Sequence, residues 1–139
     1  MYEAKKPITA ASELRELLAP MHPSQLNKTI DHIDAHCRAW LAKTTFVTLA
    51  SCDARGNMDV SPKGDPAGFI KVLDSKTLAI PDRIGNHRAD TFLNVLENPR
   101  IGMLCVVPQR KEVVRINGAA QIVRDDNLRD MTEMNGHRP

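Results

Sequence analysis

Thr44-Thr-Phe-Val-Thr-Leu-Ala-Ser51, Asp53-Ala-Arg-Gly-Asn57 and Met58-Asp-Val-Ser61 follow one another almost without interruption. The first run is rich in β-branched residues and reads as a strand. The second is a turn, with Gly56 where a positive φ is needed. The third resumes as the partner strand. Working outward, Phe69-Ile-Lys-Val-Leu73 and Thr77-Leu-Ala-Ile80 read as a second hairpin about Asp74-Ser-Lys76. Ile101-Gly-Met-Leu-Cys-Val-Val107 is a fully apolar run of strand length and reads as a central strand. Residues 112–123 alternate, with Val114, Ile116 and Ile122 in phase, and Asn117-Gly118 marks a bulge or bend. Hairpin-linked strands without strand–helix alternation give a mainly β, α+β class built on an antiparallel sheet or barrel. The barrel is expected over residues 44–124.

Helices flank these strands. After an arm over residues 1–8, Thr9 or Ser12 caps a short helix carrying Leu14, Leu17 and Leu18, and Pro20 and Pro23 break it. A second helix is expected from Ser24 to Ala42, because Leu26, Ile30, Ile33, Cys37, Trp40 and Leu41 recur at intervals of three and four. A third covers residues 88–97, with Ala89, Phe92, Leu93 and Leu96 on its apolar face, and Asn98-Pro99 ends it. A last helix runs from Asn127 to Asn135, capped by Asp125 or Asp126, with Gly136 as its C′ stop. The chain is therefore read as one domain: residues 1–43 are arm and helices, 44–124 barrel, 125–139 a C-terminal helix. With no closing strand after that helix, the chain is either a fragment or a short variant.

Composition narrows the function. A chain of 139 residues with 42% hydrophobic and 26% charged residues is an ordinary globular domain able to bury a real core. Five aromatic residues and a net charge of +2 argue against a nucleic-acid platform. Cys37, Cys52 and Cys105 are odd in number and lack CxxC spacing, which fits small hydrophobes rather than disulfides or zinc. No run approaches a membrane span, and the N-terminus lacks the apolar stretch of a signal peptide, so the expectation is cytoplasmic with no membrane partner. His32 and His36 are spaced i,i+4, yet no acidic residue completes a zincin pattern, and no metal is expected. No Gly-x-Ser-x-Gly elbow, GxGxxG or GxxxxGK[ST] is present.

Two segments carry the chemistry: Asn57-Met-Asp-Val-Ser-Pro-Lys-Gly-Asp65 and Ile80-Pro-Asp-Arg-Ile-Gly-Asn-His-Arg88. Ser61, Lys63, Arg83, Asn86 and Arg88 offer an anion cradle, since guanidinium forks and ammonium groups suit a phosphate monoester. Asn86 is placed to cap the helix that follows. Arg88 stands where the helix dipole disfavours a cation unless an anion is near. The plainer alternative is that Asn86 only caps and Arg88 is a solvated charge. Pro62 places its strand at an edge or bulge, leaving backbone groups for a planar heterocycle, or else it simply protects the edge together with Lys63.

Residues 46–69 resemble the pyridoxamine 5′-phosphate oxidase-like flavoproteins of the FMN-binding split-barrel fold. Thr77–Arg88, Leu96-Glu-Asn-Pro-Arg-Ile-Gly102 and Val114–Ala120 fit the same family. Ile33-Asp-Ala-His-Cys-Arg-Ala-Trp-Leu41 is similar to the N-terminal helix of an uncharacterised subgroup. The resemblance covers about residues 9–123. It implies an antiparallel split barrel and a homodimer with FMN at the interface, contacted by both subunits. Carried over by position, Val60, Ser61, Pro62 and Lys63 line the flavin, Ile80 and Pro81 match the next strand end, and Asn86, His87 and Arg88 match the turn that grips phosphate. Arg83 lies between these last two groups. Ser61 stands where the oxidase proper has an arginine, and the oxidase's substrate-phosphate residues have no counterpart. The resemblance thus implies a flavin-dependent oxidoreductase with a small-molecule electron donor or acceptor other than pyridoxamine phosphate. Its alternatives are a non-catalytic flavin or haem protein and a deazaflavin-dependent reductase. No residue is singled out as a catalytic acid or base.

Overall fold

The computed structural model describes residues 2–139, so Met1, where the expected arm begins, lies outside the described residues. The chain forms two compact units, the first ending at Asp31 and the second spanning His32–Pro139. The first holds α1 (Ala11–Leu17) and α2 (Pro23–Leu26), and neither contributes a buried residue. The expected cap by Thr9 or Ser12 is not made: Ala10 occupies the N-cap without a side-chain bond.

The single helix expected over Ser24–Ala42 is two helices. α2 ends at Leu26, and α3 (Ala35–Leu41) starts afresh. Asp34 decides the new start, because its carboxylate accepts the Cys37 N–H at 2.7 Å and caps the helix. A short polar side chain such as that of Asp34 offers the backbone such a local bond in place of a continuous helix. The apolar periodicity crossed this boundary without registering it. The same bond from the Cys37 N–H holds the Asp34 carboxyl below its ordinary value.

The second unit is built on β1 (Phe46–Cys52), β2 (Met58–Gly64), β3 (Lys71–Val72), β4 (Leu78–Ala79), β5 (Arg100–Val106) and β6 (Val114–Ala119). A four-stranded antiparallel sheet has the order β2-β1-β5-β6, and β3-β4 is a separate hairpin. Asp53 makes the β1–β2 turn: its carboxylate accepts the N–H groups of Arg55 and Asn57 at 2.8 Å each, and Gly56 takes φ +86°. The mixed α+β class with an antiparallel sheet is as expected. No closed barrel forms among the described residues. Asn117-Gly118 makes no bulge, since Gly102↔Asn117 and Ile101↔Gly118 pair in regular register. Gly102 instead leaves room for a neighbour, because a Cβ there would stand 3.2 Å from the Asn117 side-chain oxygen.

One face of the sheet is covered. Leu41, Val47, Phe69, Ile70, Met103 and Cys105 form the core, with Ile33, Trp40, Ile80, Val114 and Ile116 packed against it. The Trp40 indole N–H donates to the Cys105 carbonyl at 3.0 Å, tying α3 to β5. Ile122 lies beyond β6 and is largely exposed.

α4 (Asp90–Glu97) packs on the same sheet, with the opposite face to the one expected. Leu93 and Leu96 are 56% and 73% exposed, while Thr91 and Val95 are buried. The packed stripe is mostly polar. The Asn94 amide donates to Ser51 Oγ at 3.0 Å, and the Asn98 amide to Cys52 Sγ at 2.9 Å. Glu97 accepts the Ala54 N–H at 3.2 Å. Because β1 and β2 present Ser51, Ser61 and Asp59 on this side, hydrogen bonding outcompetes the leucines for the contact.

α5 (Asp126–Met131) is capped by Asp125, which accepts the Leu128 N–H at 3.0 Å. It ends before the expected Asn135. Gly136 is not its C′ stop but the second residue of a tight turn: Asn135 and Gly136 both have positive φ between Met134 and His137. Two residues with positive φ are the signature of a type I′ connection, for which Asn-Gly is the favoured pair.

Leu41 is fully buried, whereas Ile84 is 90% exposed. Leu41→Ala should destabilise the chain by about 2–5 kcal/mol and Ile84→Ala by less than about 0.5 kcal/mol, as read by urea denaturation. Burial also pushes the Cys105 thiol up to about 12 from its ordinary 9.0. The unfolded chain ionises first, so this contribution is intact below about pH 9 and is lost as pH rises toward 12. Unfolding followed from pH 8 to 11 should show a steeper alkaline loss for the native sequence than for Cys105→Ala. Native Cys105 should also resist alkylation at pH 8 until the chain is unfolded.

Candidate functional site

β2 is one of the two edge strands, with one row of backbone groups outside the sheet. Its side chains alternate. Asp59, Ser61 and Lys63 pair across β1 with Ser51, Leu49 and Val47 and therefore share the covered face. Met58, Val60 and Pro62 lie on the open face. The four candidate residues Val60–Lys63 are thus split: Val60 and Pro62 line the open surface, while Ser61 and Lys63 turn toward α4.

Ser61 donates to Asp59 Oδ2 at 2.8 Å and receives the Thr91 hydroxyl at 2.9 Å, which also lies 3.2 Å from Asp59. This triad joins the edge strand to the first turn of α4. Lys63 Nζ is 3.0 Å from Asp82 Oδ1 and 5.5 Å from the centre of the Phe92 ring, a cation–π distance. One cation therefore touches both the 82–89 turn and α4.

The turn is shaped by backbone strain. His87 and Ala89 have φ of +60° and +59°. A left-handed conformation costs a residue with a Cβ about 1–2 kcal/mol, and alanine has no polar side chain to offset it. The expected N-cap role of Asn86 is not observed, because Ala89 occupies the cap. Asn86 Oδ1 instead accepts the Arg88 N–H at 3.1 Å, an Asx turn one step earlier. Between the two left-handed residues, the Arg88 guanidinium reaches Asp90 at 2.7 Å, and that carboxylate raises the Arg88 pKa.

Arg83 faces elsewhere. It lies 2.8 Å from Asp65 and donates to the carbonyls of Thr132 at 2.7 Å and His137 at 3.5 Å. It clasps the segment after β2 to the C-terminal turn. Ile80 is half-buried against the core, and the neighbouring Pro81 is buried. The structure thus joins Ser61 and Lys63 to α4 through Thr91 and Phe92, and places Asn86, His87 and Arg88 in the turn that leads into α4. Asp59, Asp82, Asp90, Thr91 and Phe92 take part in these contacts and were not singled out from sequence. Their signal is weak there, since Arg88 and Asp90 stand two apart, a spacing that brings side chains together only in a non-helical turn.

The open face carries Phe46, Met58, Val60, Pro62 and Leu104, and Val60 is 60% exposed. A depression of about 490 Å³ on this face is floored by Ala50 and Gly102 and bounded by Met58, Arg100 and Asn117. It lies at the Met58 end of β2, about 17 Å along the strand from Lys63.

A family model described as pyridoxamine 5′-phosphate oxidase matches residues 33–137. A crystal structure of a HupZ variant from Group A Streptococcus is similar in fold, with a TM-score of 0.54 and 22% identity over 72% of this chain and 78% of that chain. No curated protein matches the sequence. No helix among the described residues is long and apolar enough to cross a membrane. The family match spans the whole sheet and α3–α5, including the β2 edge and the 82–89 turn, and the chain belongs to the pyridoxamine 5′-phosphate oxidase family.

Proposed function

We propose that this chain is an FMN-binding split-barrel flavoprotein acting as a flavin-dependent oxidoreductase on a small-molecule partner. The observation that carries this reading is the placing of Lys63 against α4 through Phe92 and of Arg88 in the turn that opens α4. The family generally binds flavin or haem. The donor set here suits a flavin phosphate: two cations, an Asx turn and the N-terminal N–H groups of α4. Val60 and Pro62 offer an apolar surface for a ring, and the free edge of β2 offers backbone groups for its polar rim. Bound FMN would supply the redox chemistry. The protein's part is to hold the phosphate with Lys63, Arg88, Asn86 and His87, and to bring Ile80 and Pro81 up behind the turn. Arg83 fixes the turn through Asp65 and the Thr132 carbonyl.

A homodimer with the flavin at its interface belongs to the same reading. Phe46, Met58, Val60 and Leu104 form an exposed apolar sheet face, and Leu93 and Leu96 add an exposed stripe on α4. Such surfaces mark association sites, and a two-fold contact would bury the same patch on both subunits. Three unpaired thiols fit a reducing, cytoplasmic setting.

The absorbance spectrum of the purified protein tests the cofactor: flavin gives bands at about 375 and 450 nm, whereas haem gives a Soret band near about 400 nm. Lys63→Ala and Arg88→Ala should each weaken FMN binding about ten- to a hundred-fold without unfolding the chain, read by flavin fluorescence titration. A folded double variant with native affinity would remove both residues from the site.

Ser61 bears on the substrate. Its hydroxyl is engaged with Asp59 and Thr91, and a short neutral group gives the flavin a different electrostatic setting from a charged fork. The FMN-loaded protein should be reduced by a nicotinamide or deazaflavin donor and should turn over pyridoxamine phosphate poorly. Efficient aldehyde formation from pyridoxamine phosphate in a steady-state assay would overturn this. Silence with every donor would favour a non-catalytic flavin or haem protein.

A further inference from the structure

Both cations of the proposed site are already occupied. Lys63 is held by Asp82 at 3.0 Å, and Arg88 by Asp90 at 2.7 Å. Asp82 sits in the strained turn, and Asp90 opens α4. The side chains of Asp82 and Asp90 are 51% and 39% exposed, so either can swing into water without being stranded. Arg83 differs, since its partner Asp65 is only 14% exposed and two carbonyls hold it as well. We infer that Asp82 and Asp90 are displaceable internal anions that stand in for a phosphate monoester at Lys63 and Arg88, and so set which anions the site accepts.

This inference rests on the FMN reading and adds a selection rule to it. A singly charged or neutral ligand gains too little to release either carboxylate. A phosphate monoester carries nearly two negative charges and three acceptor oxygens, enough to replace the single carboxylate on the cation of either pair. Exposed ion pairs are weak, so the barrier they set is modest and reversible. The left-handed residues on either side of Arg88 hold it against Asp90, which ordinary helical spacing would not do.

The test is titration of the full chain with FMN and with riboflavin, which lacks the phosphate. Asp82→Asn and Asp90→Asn should each raise FMN affinity up to about five-fold and leave riboflavin affinity unchanged. In a Lys63→Met background the gain from Asp82→Asn should vanish, which separates direct competition from a general change of field. Melting curves confirm that the near-isosteric variants fold. Unchanged FMN affinity in both Asn variants, with the native chain binding FMN, overturns the inference and leaves the FMN reading standing. Equal gains for riboflavin, or a gain that persists without Lys63, also overturn it. Failure of native and variant chains alike to bind FMN removes the FMN reading and this inference together.

Discussion

The polar seam between α4 and the β1–β2 hairpin is the constraint on which the rest of the second unit's candidate site depends. Thr91 and Asn94, on one stripe of α4, and Asn98, its C-cap, bond to Ser61, Ser51 and Cys52 in turn. Ser51 is almost fully buried and Thr91 nearly so, so losing a partner would leave a buried polar group unsatisfied. Hydrogen bonds are directional, and this seam fixes the rotation of α4 as well as its position. That rotation brings Phe92 under Lys63 and places the 82–89 turn beside the edge of β2. It also turns Leu93 and Leu96 outward.

Much of the sheet was legible in sequence, because period-two alternation and turn chemistry are local. Asp53-Ala-Arg-Gly-Asn57 specifies its turn through one carboxylate and one glycine. The apolar run at 101–107 reads as central, and β5 does lie between β1 and β6. The helices were less legible. In α4, leucine spacing gave a plausible face, but the sheet below offers hydroxyls and a carboxylate, and polar complementarity won. In residues 24–42 the apolar spacing runs through a break made by Asp34, a single cap that periodicity does not weigh. Asn117-Gly118 reads as a bulge from its composition, yet the glycine at 102 across the ladder absorbs the Asn117 side chain and the register stays regular.

The candidate site was legible as a set of cations and only partly as an arrangement. Lys63 and Arg88 stand at the β2 edge and the start of α4, as the motif positions suggested. Arg83 lies in the same segment but faces the C-terminal turn, a pairing that depends on residues some fifty positions away. The acidic partners were invisible because Arg88 meets Asp90 only through a non-helical turn and Lys63 meets Asp82 across nineteen positions. Strain at His87 and Ala89 is the cost of that turn, and the surrounding bonds over-determine it.

Hydrogen–deuterium exchange with and without FMN tests the central claim most directly. The proposed phosphate site lies between the β2 edge and the segment leading into α4. FMN should therefore slow exchange across residues 58–64 and 82–92, leaving residues 9–26 unchanged. Unchanged exchange in both segments at saturating FMN, or protection confined to other parts of the chain, would contradict it.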